Sequence, residues 1–182
     1  MMIWMKRFNL YLVVATAALL CGCMTEEGKK KRQITTLEVH IEADRDKADL
    51  NELIHISREH PVELSVVKVP FLTEGFVEKA EVINDEHGGF ALRIHFERQG
   101  AWLLEQYAVA NRGKHFAIFS KFVVPPGPAL NEGRWLAAPK ITKTITDGTL
   151  TFTPDATREE AEQIVLGLRN IARQKEKDSK LW

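Results

Sequence analysis

The sequence predicts an α+β fold, in which two main helices lie on one face of a mostly antiparallel β-sheet. Several segments alternate apolar and polar residues, a pattern typical of half-buried strands. Two longer segments repeat apolar residues every three or four positions, as amphipathic helices do. Turn-forming residues separate neighbouring strand segments and favour hairpin connections. Helices between and after such runs of strands are typical of the α+β class.

The first part of the predicted domain contains two strands. Residues 37–43 alternate apolar and polar side chains, and residues 62–69 are alternating and β-branched up to Pro70. Between these strands, several apolar residues share one face in helical geometry. A short helix is therefore expected over residues 49–58.

The next two strands are expected to form a hairpin. Residues 79–83 and 90–97 flank a dense turn signal at residues 84–89. The two segments are therefore predicted to be antiparallel neighbours. Just before them, Thr73 is expected to cap a helical turn over residues 73–78.

The first main helix is predicted over residues 99–112. Leu103 and Tyr107 recur at helical spacing, and Gly113 follows as a left-handed terminator. The aromatic and β-branched content of residues 116–123 then predicts a buried strand.

The last part of the chain begins with a proline-rich segment, residues 124–134, which is expected to form a loop because proline cannot continue a ladder. A hairpin is predicted from residues 141–146 and 149–152, which flank the sequence Asp-Gly. The final helix opens with a capping box formed by Thr157 and Glu160. After Arg173 the sequence is polar, so the regular structure is expected to fray there.

The start of the chain has the layout of a secretory signal. Lys6 and Arg7 precede an apolar stretch over residues 8–20, and small residues follow. About 20 apolar residues are needed to span a bilayer, so an export signal is favoured over a membrane span.

Both cysteines of the chain lie at the end of this signal. Leu20, Cys21, Gly22 and Cys23 resemble the bacterial lipobox. By that resemblance, cleavage falls between Gly22 and Cys23, and Cys23 carries the lipid. A disulfide between residues two apart is strained, and the redox motif has two intervening residues, so both alternatives are disfavoured.

The expected organisation follows from these signals: a signal peptide (1–22), a charged lipid-anchored tether (23–33), the α+β domain (34–174) and a polar tail (175–182). Met24 is not the aspartate that directs lipoproteins to the inner membrane. The lipobox resemblance therefore favours an outer-membrane anchor on a protein that faces the periplasm.

The charge balance excludes one class of partner. The chain has 25 basic and 25 acidic residues, and loss of the signal removes two basic residues and no acidic one. Nucleic-acid binding would need a basic face, and this composition gives no sign of one. No nucleic-acid partner is expected.

No catalytic residue, cofactor or metal site is predicted. The six histidines lack metal-ligand spacing, and His40 and His95 are expected to face solvent from polar positions of strands. The serines lack the context of a nucleophile. Gly88 and Gly89 lead into a strand, whereas phosphate-binding loops open a helix.

The tryptophans are candidates for binding a partner, because aromatic residues dominate interface hot spots. Trp102 is expected to pack in the core from its helix. Trp135 follows the proline-rich loop, and loops carry function more often than scaffolds do. Trp135, Leu136 and Pro126 are therefore the candidate partner-binding residues.

Residues 71–171 resemble the head subdomain of the first periplasmic domain of SecD, a membrane subunit of the bacterial protein-export translocase. The matching residues are Leu72, Thr73, Glu74, Gly75, Val77, Ala80, Phe96, Gly100, Ala101, Gly113, Lys114, Ala117, Ile118, Ala138, Pro139, Ile141, Ile145, Gly148, Phe152, Thr153, Glu159, Glu160 and Ala161. The resemblance implies an α+β head that faces the periplasm and contacts translocating polypeptide. The segments that couple SecD to the proton gradient are not recognised here, so binding is expected rather than a motor function.

The leading hypothesis is a non-catalytic envelope lipoprotein that binds secreted polypeptides, translocase subunits or envelope-assembly proteins. An alternative is an enzyme whose site is assembled from scattered residues such as His95, Glu97 and Arg98. A third hypothesis is a structural tether to a single membrane complex.

Overall fold

The computed structural model describes residues 28, 30, 33–44, 50–56, 61–84, 88–124, 130 and 133–180. The chain divides into two compact units, Met1–Lys31 and Arg32–Trp182. The second unit contains the predicted domain. The predicted signal and both cysteines lie outside the described residues. Among the helices described, none is both long and apolar enough to cross a membrane.

The described residues form nine strands and two α-helices. The strands are β1 (Thr36–Ile41), β2 (Asn51–Ile56), β3 (Val62–Val67), β4 (Leu72–Thr73), β5 (Val77–Asn84), β6 (Phe90–Phe96), β7 (Phe116–Lys121), β8 (Arg134–Ala137) and β9 (Thr149–Phe152). The helices are α1 (Arg98–Ala110) and α2 (Arg158–Ser179).

Among the described residues, three antiparallel sheets replace the single sheet expected from the sequence. Their strand orders are β4-β1-β7-β8, β2-β3 and β5-β6-β9, and each pairing in them is antiparallel. The α+β class predicted from the sequence is therefore confirmed, with its strands divided among more sheets.

The main hydrophobic core lies between the two larger sheets and the helices. Leu104 and Ala108 enter it from α1, and Ile164 and Leu168 enter it from α2; all four are fully buried. Their spacing is the helical repeat seen in the sequence. A smaller cluster lies beneath the β2-β3 pair and consists of Ile54, Ile56, Leu64, Val66 and Ala117.

The helix predicted over residues 49–58 is wrong, because this segment contains strand β2. Its residues pair with β3, with Leu53 opposite Ser65. Ile54 and Ile56 are buried at the two-residue period of a strand, while Leu53 is 62% exposed. Cross-strand pairing therefore overrides the helical spacing of the leucines.

The hairpin predicted around Asp147 and Gly148 is also wrong. Residues 141–146 form no strand, and β9 pairs with β6 instead, with Leu92 opposite Phe152. The amide of Ile141 donates a hydrogen bond to the Lys114 carbonyl. That contact ties the segment before the turn to the start of β7 rather than to β9.

The hairpin of β5 and β6 is confirmed, with Asn84 opposite Phe90 at its closed end. The predicted turn before it is a short 3-10 helix, Glu74–Phe76. Thr73 occupies the position before that helix in an extended conformation, but its side chain makes no capping hydrogen bond. The capping role expected of Thr73 is therefore wrong.

The capping box of α2 is confirmed. The Thr157 hydroxyl accepts a hydrogen bond from the Glu160 amide at 3.2 Å, and the Glu160 carboxylate accepts one from the Thr157 amide at 2.8 Å. Thr157→Ala is expected to lower the free energy of unfolding by about 1 kcal/mol, because one helix-end amide loses its partner. Urea unfolding of the two proteins measures the difference.

Helix α2 continues to Ser179, so the fraying expected after Arg173 is wrong. Lys175 accounts for part of this extension. Its ammonium group lies 2.7 Å from the Glu97 carboxylate and donates a hydrogen bond to the Gly75 carbonyl at 2.7 Å. The polar end of α2 is therefore held against the start of α1.

Candidate functional site

Trp135 lies on β8 and is partly buried. Its ring meets the His40 ring nearly edge-on, with centroids 5.1 Å apart, and the Phe119 ring at the same distance. It also packs against the smaller core cluster. Trp135 therefore presents only part of its ring to a partner.

The other two candidate partner-binding residues are less favourable. Leu136 is fully buried in the main core. Its side chain stabilises the domain and is not available to touch a partner. Pro126 lies outside the described residues.

His40 is buried, so the expectation that it faces solvent is wrong. Its residue is 4% exposed. Nδ1 lies 2.9 Å from the Val67 carbonyl oxygen, which can only accept a hydrogen bond, and Nε2 lies 3.3 Å from the Glu38 carboxylate. Trp135 and the end of β3 cover this face of β1, which strand alternation alone does not reveal.

Trp102 is exposed, so its expected role in core packing is wrong. The residue is 58% exposed, and Val109, seven positions later on the same face of α1, is 56% exposed. The inward face of α1 is formed by Leu104 and Ala108, which leaves the tryptophan on the outside. Gln106 is a polar residue between Trp102 and Val109 on the same face of α1, and it indicates in the sequence that this face is exposed.

This tryptophan lines a recess at the start of α1. The recess is also lined by Glu97, Arg98 and Gln99. Glu97 and Arg98 also line a larger open groove, of about 920 Å³, along β5 and α2. The two surfaces share Glu97 and Arg98, and together we call them the basic groove.

The basic groove carries more positive than negative charge. Its larger part is lined by five cationic side chains and three acidic ones. The cationic residues are Lys79, Arg98, Arg169, Arg173 and Lys175. The acidic residues are Glu78, Glu97 and Glu176. This excess contrasts with the balanced charge of the whole chain.

The residues proposed for an enzyme site do not converge. His95 lines a separate open groove of about 740 Å³, beside Arg93, and its Nδ1 lies 3.1 Å from the Thr149 hydroxyl. Glu97 and Arg98 line the basic groove instead. The histidine therefore lines a different groove from the other two residues, and the Glu97 carboxylate is paired with Lys175.

Glu81 is the centre of a surface charge network beside His95. Its carboxylate lies 2.9 Å from the Lys79 ammonium, 3.6 Å from the Arg93 guanidinium and 3.7 Å from the His95 ring. The hydrogen bond from Lys79, together with the nearby positive charges, lowers the pKa of Glu81. Its contribution to stability is present at neutral pH and is lost as the pH falls through that lowered pKa.

Across the part of the chain that the structure describes, no group of three histidine, cysteine or acidic residues is placed to hold a metal ion. The basic groove and Trp102 form a surface of charged and aromatic side chains. Such a surface can bind a partner by desolvating the aromatic ring and pairing the charges.

Comparison with known proteins identifies a family that this chain matches. The sequence model of the SecDF P1 head subdomain matches residues 51–172, which include β2 and most of α2. No curated protein matches the chain. The resemblance drawn from the sequence over residues 71–171 is thereby confirmed.

Solved structures give the same result. The chain is 26% identical to a SecDF described as a membrane component that enhances protein export, with a TM-score of 0.54 over 80% of this chain and 67% of that chain. It is 24% identical to a SecDF in a super-membrane-facing form, with a TM-score of 0.54 over 80% of this chain and 21% of that chain. The second likeness concerns the fold alone. Because the family model matches residues 51–172, which are more than half of the chain, the chain belongs to the SecDF P1 head subdomain family.

Proposed function

We propose that this chain is a lipid-anchored protein of the cell envelope whose domain binds protein, without catalysing a reaction, in support of export or envelope assembly. The observation that carries the proposal is family membership over residues 51–172. A SecDF relative is described as enhancing protein export. The clients are secreted polypeptides, translocase subunits or envelope-assembly proteins.

The outer face of α1 is the favoured contact surface within this proposal. Trp102 projects a large apolar side chain into solvent, and aromatic residues of this kind anchor many protein interfaces. The exposed part of the Trp135 ring provides a second contact surface. Leu136 acts indirectly, by holding β8 in the core.

The proposed anchor is a lipid on Cys23, added after cleavage between Gly22 and Cys23. Cys23→Ala is expected to abolish incorporation of labelled palmitate and to release the protein from the membrane fraction. Cys21→Ala is the matched control, because Cys21 leaves with the signal and its replacement preserves labelling. Equal labelling of both variants would contradict the anchor.

The proposed location is the outer membrane, with the domain in the periplasm. This choice depends on Met24, which stands where an aspartate would direct inner-membrane retention. Separation of the two membranes on a density gradient tests it, and recovery with the inner membrane would contradict it.

Photo-cross-linking in intact cells tests the binding function. A probe at position 102 is expected to capture several exported proteins or translocase subunits, identified by mass spectrometry. A probe at position 135 is expected to capture fewer, since that ring is partly buried. Lys143, exposed and outside both surfaces, provides the control position. A single recurrent partner would favour the tether, and capture equal to that at position 143 would contradict protein binding.

A further inference from the structure

We propose that the basic groove binds an extended polypeptide segment in which an acidic and an apolar side chain project from the same side of the chain. This inference rests on the proposed protein-binding function and specifies the chemistry of the client. The acidic side chain pairs with Arg98 or Arg173, and the apolar side chain packs on Trp102.

Two arginine side chains of the groove are free to bind an incoming carboxylate. Lys175 is paired with Glu97, and the Arg169 guanidinium donates a hydrogen bond to the Ala80 carbonyl at 2.8 Å. Arg98 and Arg173 are exposed, and neither side chain forms a hydrogen bond or ion pair within the described part of the chain. Their guanidinium groups can therefore take a carboxylate in the two-pronged geometry that arginine favours.

The acidic residues of the groove leave this excess in place. Glu97 is neutralised by Lys175, and Glu176 is paired with Lys180 at 2.6 Å. Glu78 is the exposed carboxylate that opposes the two free arginines. An incoming carboxylate is therefore attracted to the groove, whereas an incoming cation meets three guanidinium groups for one unpaired carboxylate.

The spacing of the two contacts suits an extended chain. Arg98 and Trp102 are one helical turn apart, so their Cβ atoms are about 5–6 Å apart on one face of α1. In an extended peptide, side chains two positions apart project from the same side and are separated by about 6.5–7 Å. A carboxylate and an apolar side chain in that arrangement can reach Arg98 and Trp102 together.

An anionic membrane surface fits this groove less well. A planar bilayer would approach the unpaired carboxylate of Glu78 together with the arginines, and that carboxylate would repel its headgroups. A peptide carboxylate can approach one guanidinium alone. The mixture of charges therefore favours a polypeptide.

Peptide binding to the purified full chain tests the proposal. Two short fluorescent peptides are compared. In one, phenylalanine and glutamate lie two positions apart with serine between them, and in the other glutamine replaces glutamate. Fluorescence anisotropy measures the affinity of each peptide. The glutamate peptide is expected to bind more tightly, with a difference that shrinks as salt is raised. Arg98→Gln and Arg173→Gln are each expected to weaken its binding about two- to fivefold, the range of exposed charge pairs. Trp102→Ala is expected to weaken the binding of both peptides about fivefold or more.

Matched variants separate the groove from general effects. Arg112→Gln removes an arginine just beyond the other end of α1, a helix about 20 Å long, and is expected to leave binding unchanged. Arg98→Lys keeps the charge and is expected to retain part of the affinity. Circular dichroism checks that each variant is folded.

Three results would overturn the proposal. The first is equal affinity for the two peptides, and the second is a loss of peptide binding with Arg112→Gln as large as that with Arg98→Gln. The third is that Arg98→Gln and Arg173→Gln weaken binding to phosphatidylglycerol vesicles but not to the glutamate peptide. If the probe at position 102 captures exported proteins while Arg98→Gln has no effect, the groove chemistry fails and the binding function stands. If the glutamate peptide binds as expected but no envelope protein is captured, the proposed function fails.

Discussion

Replacement of Gly148 by alanine is expected to lower the free energy of unfolding by about 2–5 kcal/mol. Gly148 has a φ of 64°, in the left-handed region, where a side chain costs about 1–2 kcal/mol. A Cβ at this position would lie 2.6 Å from the Ala101 Cβ, and such overpacking adds about 1–3 kcal/mol. Urea unfolding monitored by circular dichroism measures the sum.

A second glycine separates the two contributions. Gly113 has a φ of 91°, and a Cβ there would meet no atom within 4 Å. Gly113→Ala is therefore expected to show only the backbone cost, about 1–2 kcal/mol. Adding Ala101→Gly to Gly148→Ala should recover the packing part, visible as coupling in a double-mutant cycle. Equal effects of Gly148→Ala and Gly113→Ala would contradict the role of close packing.

This contact gives a physical reason for part of the family resemblance. Gly148 and Ala101 both belong to the matching residues, and the Phe96 amide donates a hydrogen bond to the Gly148 carbonyl at 3.0 Å. A Cβ on the neighbouring Gly100 would lie 2.7 Å from the Phe76 Cβ. The small residues thus fix where α1 begins, and the position of α1 sets where Arg98 and Trp102 face. Their function is geometric rather than chemical.

The elements that could be predicted from the sequence are those specified by nearby residues. The capping box of Thr157 and Glu160 is complete within four positions, and it marks the start of α2 correctly. The turn at residues 84–89 joins two alternating segments and marks the β5-β6 hairpin. The apolar repeat of α1 likewise lies within one segment. In each case, local interactions and tertiary packing favour the same structure.

The elements that were mispredicted depend on distant neighbours. Strand β2 has leucines at helical spacing, and its pairing with β3 makes it a strand. Likewise, β9 follows an Asp-Gly turn signal but pairs with β6, more than fifty residues earlier in the chain. A turn signal shows that the chain reverses, but it does not specify which strand receives the next segment.

The candidate site was harder to predict than the fold, because exposure depends on what covers each residue. His40 and Trp102 exchange their expected environments: the histidine lies under Trp135, and the tryptophan faces solvent. The basic groove joins β5, α1 and α2, whose charged residues are far apart in the sequence. Neither Arg98 nor Arg173 carries a local motif that marks it as part of a site.

Leu136→Ala is expected to lower the free energy of unfolding by about 2–5 kcal/mol, the range for emptying a buried leucine site. Leu136 is fully buried in the main core, so the loss comes from apolar contacts and the cavity left behind. Chemical denaturation measures the change. Leu53→Ala is the matched control: Leu53 lies on a strand but is 62% exposed, and its replacement should change stability by less than about 0.5 kcal/mol.

The same variant distinguishes a core residue from a contact residue. At a temperature where Leu136→Ala is still folded, a probe at position 102 should capture the same proteins as in the unmodified chain, because α1 and the basic groove are unchanged. Loss of capture without loss of stability would identify Leu136 as a direct contact, which requires β8 to leave the core when a partner binds. Loss of stability with capture retained would assign binding to the exposed face of α1 and give β8 a purely structural role.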